Sequence, residues 1–161
     1  MNITYRNSTE SDKNIIEELI GQRFGNRDSY GVTDNLNGRY LLAFDNNTLV
    51  AMTGLIDCGF YNGPEIDWTC IRKEYEGHGI ITKMIETVIK DVKSDIYCSC
   101  WRLYDNQEVN LHHAMNKLGF ELVNKEHKKF NAEHYNCKNI CKGYKENCKC
   151  YEDLYIKRYN N

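Results

Sequence analysis

Two groups of residues in this chain have types and spacings suited to chemistry. The first is Glu76-Gly77-His78-Gly79-Ile80-Ile81-Thr82, a glycine pair set between an alternating apolar stretch and an amphipathic one. A Gly-x-Gly turn that opens a helix presents N–H groups with no intrahelical acceptor at the positive end of the helix dipole, a natural seat for an anion such as phosphate. The glycines let the backbone approach that anion closely. The second group is Cys137, Cys141, Cys148 and Cys150, four thiols crowded into a polar, lysine-rich segment. Four soft ligands close in sequence suit a tetrahedral zinc site, coordinatively closed and structural, with His134 as reserve ligand. Redox-active thiols and free cysteines are the other readings of the same residues.

Both groups need elements to position them. Ile66, Trp68 and Cys70 alternate with Glu65, Asp67 and Thr69, which predicts a strand over Glu65–Ile71 with one buried face. Ile80, Ile81, Met84, Ile85, Val88, Ile89 and Val92 fall on one stripe of a helix that follows the turn. Before them, the pattern predicts a strand at Ile3–Arg6, a helix capped by Ser8 or Thr9 with Ile15, Ile16, Leu19 and Ile20 inside, and a hairpin of Arg39–Phe44 with Thr48–Cys58. After them come a strand at Asp95–Trp101, parallel to the central one, and a helix over Asn106–Leu118 stopped by Gly119. Strands at Phe120–Lys128 and Tyr151–Tyr159 close the chain. The intervening 129–150 segment is too long and polar for a turn and reads as a Cys-rich insertion held by something other than a core.

Composition narrows the classes. At 161 residues the chain has the length of one domain, 1–161, with a core of its own. A formal net charge of -2 provides no global basic field for nucleic acid. No apolar run reaches the roughly 20 residues of a spanning helix, and the first residues lack a signal-peptide core, so the expectation is a cytoplasmic, soluble protein with no membrane partner. The remaining cysteines, Cys58, Cys70, Cys98 and Cys100, lie in apolar strand-like stretches and read as small buried hydrophobes. The sequence leaves the oligomeric state open, a homodimer included.

Strand, Glu-Tyr-x-Gly-x-Gly-Ile turn, long helix, strand, then Asn116-Lys117-Leu118-Gly119-Phe120: in this order and spacing the chain resembles the GNAT family of N-acetyltransferases. The resemblance implies an α/β fold with a mixed, mostly antiparallel central sheet flanked by helices, acetyl-CoA as cosubstrate, and a small-molecule or peptide amine as acceptor. The family pattern is Arg/Gln-x-x-Gly-x-Gly/Ala. Here Gly77 and Gly79 are present, while Glu76 takes the place of the cation and Ile81 that of the last small residue.

The resemblance also implies the site. Backbone amides of Gly77, His78, Gly79, Ile80, Ile81 and Thr82 would hold the pyrophosphate, and Asn106 joins the cofactor-binding set. An N–H near Thr69, Cys70 or Ile71 would face the thioester oxygen. Glu65 stands where several family members carry a catalytic glutamate, and Asp67, two residues on, faces the same way. Two carboxylates on one face raise the pKa of one of them and suit it to take a proton. Met115 occupies the position of the family's usual acidic Tyr, which leaves His112, His113, Tyr104 and Cys100 as substitutes. The rival reading is a non-catalytic acyl-CoA sensor or interaction module on the same fold.

Overall fold

The computed structural model describes residues 1–24, 32–57, 61–102, 111–124 and 151–159. Seven strands form one sheet, β1 (Ile3–Asn7), β2 (Tyr40–Asp45), β3 (Thr48–Ile56), β4 (Glu65–Ile71), β5 (Ile96–Arg102), β6 (Glu121–Asn124) and β7 (Tyr151–Lys157), in the order β1-β2-β3-β4-β5-β7-β6. Every neighbouring pair is antiparallel except β4 and β5. The mixed sheet is therefore as expected. Helix α1 (Lys13–Phe24) packs on one face, and α2 (Ile80–Ile89) and α3 (His112–Lys117) pack on the other.

Alternation along the strands assigns the two faces. Tyr40, Leu42 and Met52 join Ile16, Leu19 and Ile20 of α1, whereas Leu41, Ala43, Val50 and Ala51 join Ile80 and Met84 of α2. Sheets covered on both sides read as nearly continuous apolar runs, which is why Tyr40–Phe44 and Leu49–Met52 are buried throughout. The β2–β3 connection is Asn46-Asn47, with Asn46 at φ 53°, a conformation asparagine tolerates.

Thr9 opens a short 3-10 turn, Glu10–Asp12, that runs into α1. Its N–H donates to Asp12 Oδ2 at 2.8 Å and its hydroxyl to the same oxygen at 2.9 Å, while Arg6 grips both Asp12 oxygens at 2.7 Å. Asp12 is thus a buried carboxylate with its charge met from the neighbouring strand. The helix continues through Gly21 to Phe24. Ser8, the other cap candidate, instead donates to the Leu36 carbonyl and accepts from the Tyr40 N–H at 3.0 Å, tying β1 to the start of β2.

One expectation is overturned. Ile66, Trp68 and Cys70 do not share a face: Ile66 packs with Ile85 and Ile89 of α2, while Trp68 and Cys70 pack on the α1 side. The cause is a β-bulge. Between Met52↔Cys70 and Gly54↔Asp67 the β4 strand carries one residue more than β3, and Trp68 takes φ 41°. Gly119, by contrast, has the left-handed φ of 77° expected of a residue that stops α3. Of the predicted Asn106–Leu118 helix, the described residues show His112–Lys117, and of Phe120–Lys128 they show Glu121–Asn124.

Candidate functional site

The bulge and the divergence of two strands build the site. β4 and β5 share the single parallel register pair Glu65↔Tyr97, reinforced by the Tyr97 N–H donating to the Pro64 carbonyl at 2.9 Å. Among the described residues the parallel register has no further pair, so from Ile66 onward the two strands part along the β4 edge. Thr69, Cys70 and Ile71, the predicted oxyanion positions, lie along that edge just past the bulge. The Thr69 and Thr53 hydroxyls pair at 2.6 Å and fix the strand there. The Cys70 thiol points into the α1 core, where burial pushes its pKa up to about 12, so the residue contributes backbone to that edge rather than a nucleophile.

A 3-10 turn, Lys73–Tyr75, carries the chain from β4 to the glycine pair. Gly77 and Gly79 have φ of 78° and 74°, and among the described residues, chain neighbours aside, no atom lies within 4 Å of where a side chain would begin at either. Among the described residues the amides from Gly77 to Thr82 donate no turn or loop bond, while those of Tyr75, Glu76 and Lys83 are paired. The His78 ring Nδ1 sits 2.9 Å from the Glu76 carbonyl, bracing the turn from outside. Ile80 is buried, and Ile81 packs between the two apolar clusters beneath α2. Its bulk therefore points into the core and leaves the cradle clear. Thr82 is half-buried in the first turn of α2. Glu76 is exposed and pairs with Arg23 of α1 at 2.6 Å.

Of the two predicted carboxylates, Asp67 has the more distinctive environment. It immediately precedes the bulge, and its Oδ2 lies 3.3 Å from Arg39 Nη2. Burial pushes its carboxyl above the usual carboxylate range, against the opposing pull of Arg39. Beneath it lies Tyr40, wholly buried, whose hydroxyl interacts with the Asp67 carboxylate and whose pKa is raised first by burial and then by the Asp67 charge. The Tyr40 ring fits only because residue 54 is glycine: a Cβ there would stand 2.8 Å from Tyr40 Cδ1. Glu65 is half-buried where the two strands part, opposite Tyr97, on whose ring Tyr61 stacks at 4.6 Å.

Residues 10–120 match the acetyltransferase (GNAT) family. The chain belongs to that family. No curated protein matches its sequence. Solved structures with the same fold include a GNAT-family acetyltransferase from Bacillus cereus ATCC 10987, with TM-score 0.69, 10% identity and 100% coverage of both chains. Arabidopsis thaliana NAA60 in complex with a bisubstrate analogue has TM-score 0.71 at 13% identity, covering 99% of each chain. An aminoglycoside 6'-N-acetyltransferase complexed with coenzyme A has TM-score 0.68 at 15% identity, covering 100% of this chain and 98% of that one.

In this GNAT chain the position of the usual tyrosine is wholly apolar. Met115 is fully buried beside Phe120 and Tyr155. Of the substitutes, His113 is exposed, and Cys100 is buried with its sulfur 3.5 Å from that of Cys98. Tyr104 lies outside the described residues. His112 Nδ1 lies 2.8 Å from the Tyr155 hydroxyl and its Nε2 lies 2.9 Å from Asn116 Nδ2. Sequence reading missed Arg39, Tyr40, Arg23 and Tyr155, because each acquires its role only by tertiary approach of a distant element. The cluster Cys137, Cys141, Cys148 and Cys150 lies outside the described residues, as do His134, Cys58 and Asn106. Among the described residues no group of three or more potential ligands is placed to hold a metal ion, and no helix is long and apolar enough to cross a membrane.

Proposed function

We propose that this chain is an acetyl-CoA-dependent N-acetyltransferase that delivers the acetyl group to a primary amine by direct attack. The observation that carries the reading is the continuity of the parted β4 edge, bulged at Trp68, with the open Gly77–Gly79 cradle one short turn later. The donors present fit acetyl-CoA: a helix N-terminus with accessible amides for the pyrophosphate, and a strand edge able to run beside the pantetheine amides. Bound acetyl-CoA supplies a thioester already activated for acyl transfer.

The chain's own residues supply the rest. The β4 backbone near Thr69–Ile71 offers donors to the thioester oxygen as charge develops there. Asp67, with its raised pKa and its position beside the bulge, takes the proton from the attacking amine. A CoA thiolate is a good leaving group without a strong acid, so a buried Met115 is compatible with turnover. Because Met115 also removes the family's usual proton donor, binding without turnover is the competing reading.

Calorimetry with acetyl-CoA and CoA, followed by thiol release across a panel of primary amines, tests the assignment. Micromolar binding with amine-dependent thiol release is expected. Absence of binding sinks the reading, and binding with no release over the panel favours a sensor.

A further inference from the structure

The Glu76 carboxylate puts negative charge at the edge of a cradle that, in the reading above, receives a pyrophosphate. Its charge is met: Arg23 Nη2 lies 2.6 Å from Glu76 Oε1. Arg23 comes from the last turn of α1, far away in sequence, and its side chain as a whole is three-quarters buried. Proximity of the same cation lowers the pKa of the Cys70 thiol against the effect of burial, so Arg23 reaches over the end of β4.

The last turn of α1 is itself pinned. Arg72, at the exit of β4, donates from Nε to the Leu49 carbonyl at 2.7 Å, from Nη1 to Gln22 Oε1 at 2.7 Å and from Nη2 to Glu18 Oε1 at 2.9 Å. Two arginines, one on each element, thus lock α1 to the turn that leads into the glycine pair. A guanidinium has five donors in a planar fork, and a single carboxylate leaves several of them for a second anion.

We propose that Arg23 is the cation of the pyrophosphate subsite, delivered from α1 and held beside Gly77 by Glu76. This rests on the acetyl-CoA reading. The carboxylate at position 76 then reads as the holder of a relocated cation, which replaces a cation carried by the turn itself. The charge that meets the phosphates is kept, but it now comes from the helix that leads towards residues 25–31.

The test is calorimetry on the purified full chain with CoA, with dephospho-CoA, which keeps the pyrophosphate but lacks the 3'-phosphate, and with pantetheine, which lacks both. Arg23→Gln is expected to weaken CoA and dephospho-CoA by about tenfold or more and to leave pantetheine unchanged, the loss shrinking at high salt. The exchange Arg23→Glu with Glu76→Arg is expected to restore most of the affinity, since it returns the cation to the turn. Circular dichroism and thermal melts establish that the variants fold, and Arg23→Lys offers a conservative variant that keeps the charge. If Arg23→Gln binds CoA like the wild type, or loses pantetheine equally, the inference is overturned while the acetyl-CoA reading stands. If the wild type binds no CoA, that reading fails first and takes the inference with it.

Discussion

Arg39 Nη2 and Asp67 Oδ2 meet at 3.3 Å across the α1 face of the sheet, and the same guanidinium lies 5.1 Å from the centre of the Tyr40 ring. The pair joins the residue before β2 to the residue before the bulge. Burial raises the Asp67 pKa and Arg39 lowers it, with burial the stronger. If Asp67 takes the amine proton, its ionised form is the active one, so kcat/KM rises with pH through its pKa. Arg39→Gln is expected to move that limb to higher pH. Asp67→Asn is expected to abolish it and to reduce kcat/KM about 100-fold or more. Stability has the opposite sign: with the folded pKa raised, the contribution of Asp67 is full below the unfolded value and is lost as pH rises through the folded one. A pH–rate profile of the two variants, with melts alongside, checks both statements.

Gly77 and Gly79 should respond differently in stability and in binding. An alanine at φ near 75° costs about 1 kcal/mol at either position. Its methyl group meets no atom within 4 Å among the described residues beyond its chain neighbours, so the packing cost is small. The same methyl would project into the cradle, and CoA affinity is expected to fall about tenfold or more, out of proportion to the change in stability. Calorimetry and differential scanning fluorimetry on Gly79→Ala separate the two effects.

Acid should loosen the start of α1 first. The grip of Arg6 and the cap bonds from Thr9 hold the Asp12 carboxyl down at about 2. A carboxyl depressed below its unfolded value stabilises the fold above about pH 4, and that contribution fades as pH falls towards 2. Asp12→Asn is expected to cost about 2 kcal/mol at neutral pH and to flatten the acid arm of a stability-against-pH curve. Urea melts between pH 2 and pH 7 would show an unchanged arm if the pair contributed nothing.

The contact of Gly54 with Tyr40 sets a steric limit under the site. Gly54→Ala would bring a Cβ to 2.8 Å from the ring, and is expected to destabilise by about 1–3 kcal/mol as the ring is forced aside. Tyr40→Phe keeps the ring and removes the buried hydroxyl that interacts with Asp67. Its expected effect is a small loss of stability, about 1 kcal/mol, with the Asp67 pKa moved further up. An unchanged melt together with an unmoved pH limb in Tyr40→Phe would mean that the hydroxyl contributes nothing to Asp67.

The zinc reading of Cys137, Cys141, Cys148 and Cys150 rests on their sequence alone. Elemental analysis of purified protein is expected to find zinc, and Cys148→Ser to lose it together with thermal stability. Metal-free protein with an unchanged melt would leave the four residues as ordinary thiols.

Much of the fold was legible because its signals are local. Period-2 runs marked β4 and β5, a helical stripe marked α2, and Gly119 marked the end of α3. The bulge was not legible: Ile66, Trp68 and Cys70 alternate perfectly in sequence, and only the extra residue opposite β3 sends them to different faces. The site followed the same division. The glycine turn was readable from type and spacing, and so were the carboxylates of β4. What distinguishes Asp67 from Glu65 was not, since it depends on Arg39 and on how much water the sheet excludes. Glu76 looked like a loss of charge in sequence, because its partner Arg23 lies on another element.

Since the described register joins β4 to β5 at the single pair Glu65 and Tyr97, the sheet divides like a book into two leaves, β1 to β4 and β5 with β7 and β6. The binding is α2, whose Ile81 and Val88 touch the apolar clusters of both leaves. The N-terminus of α2, where the glycine pair sits, is thus the end of the element that both leaves share.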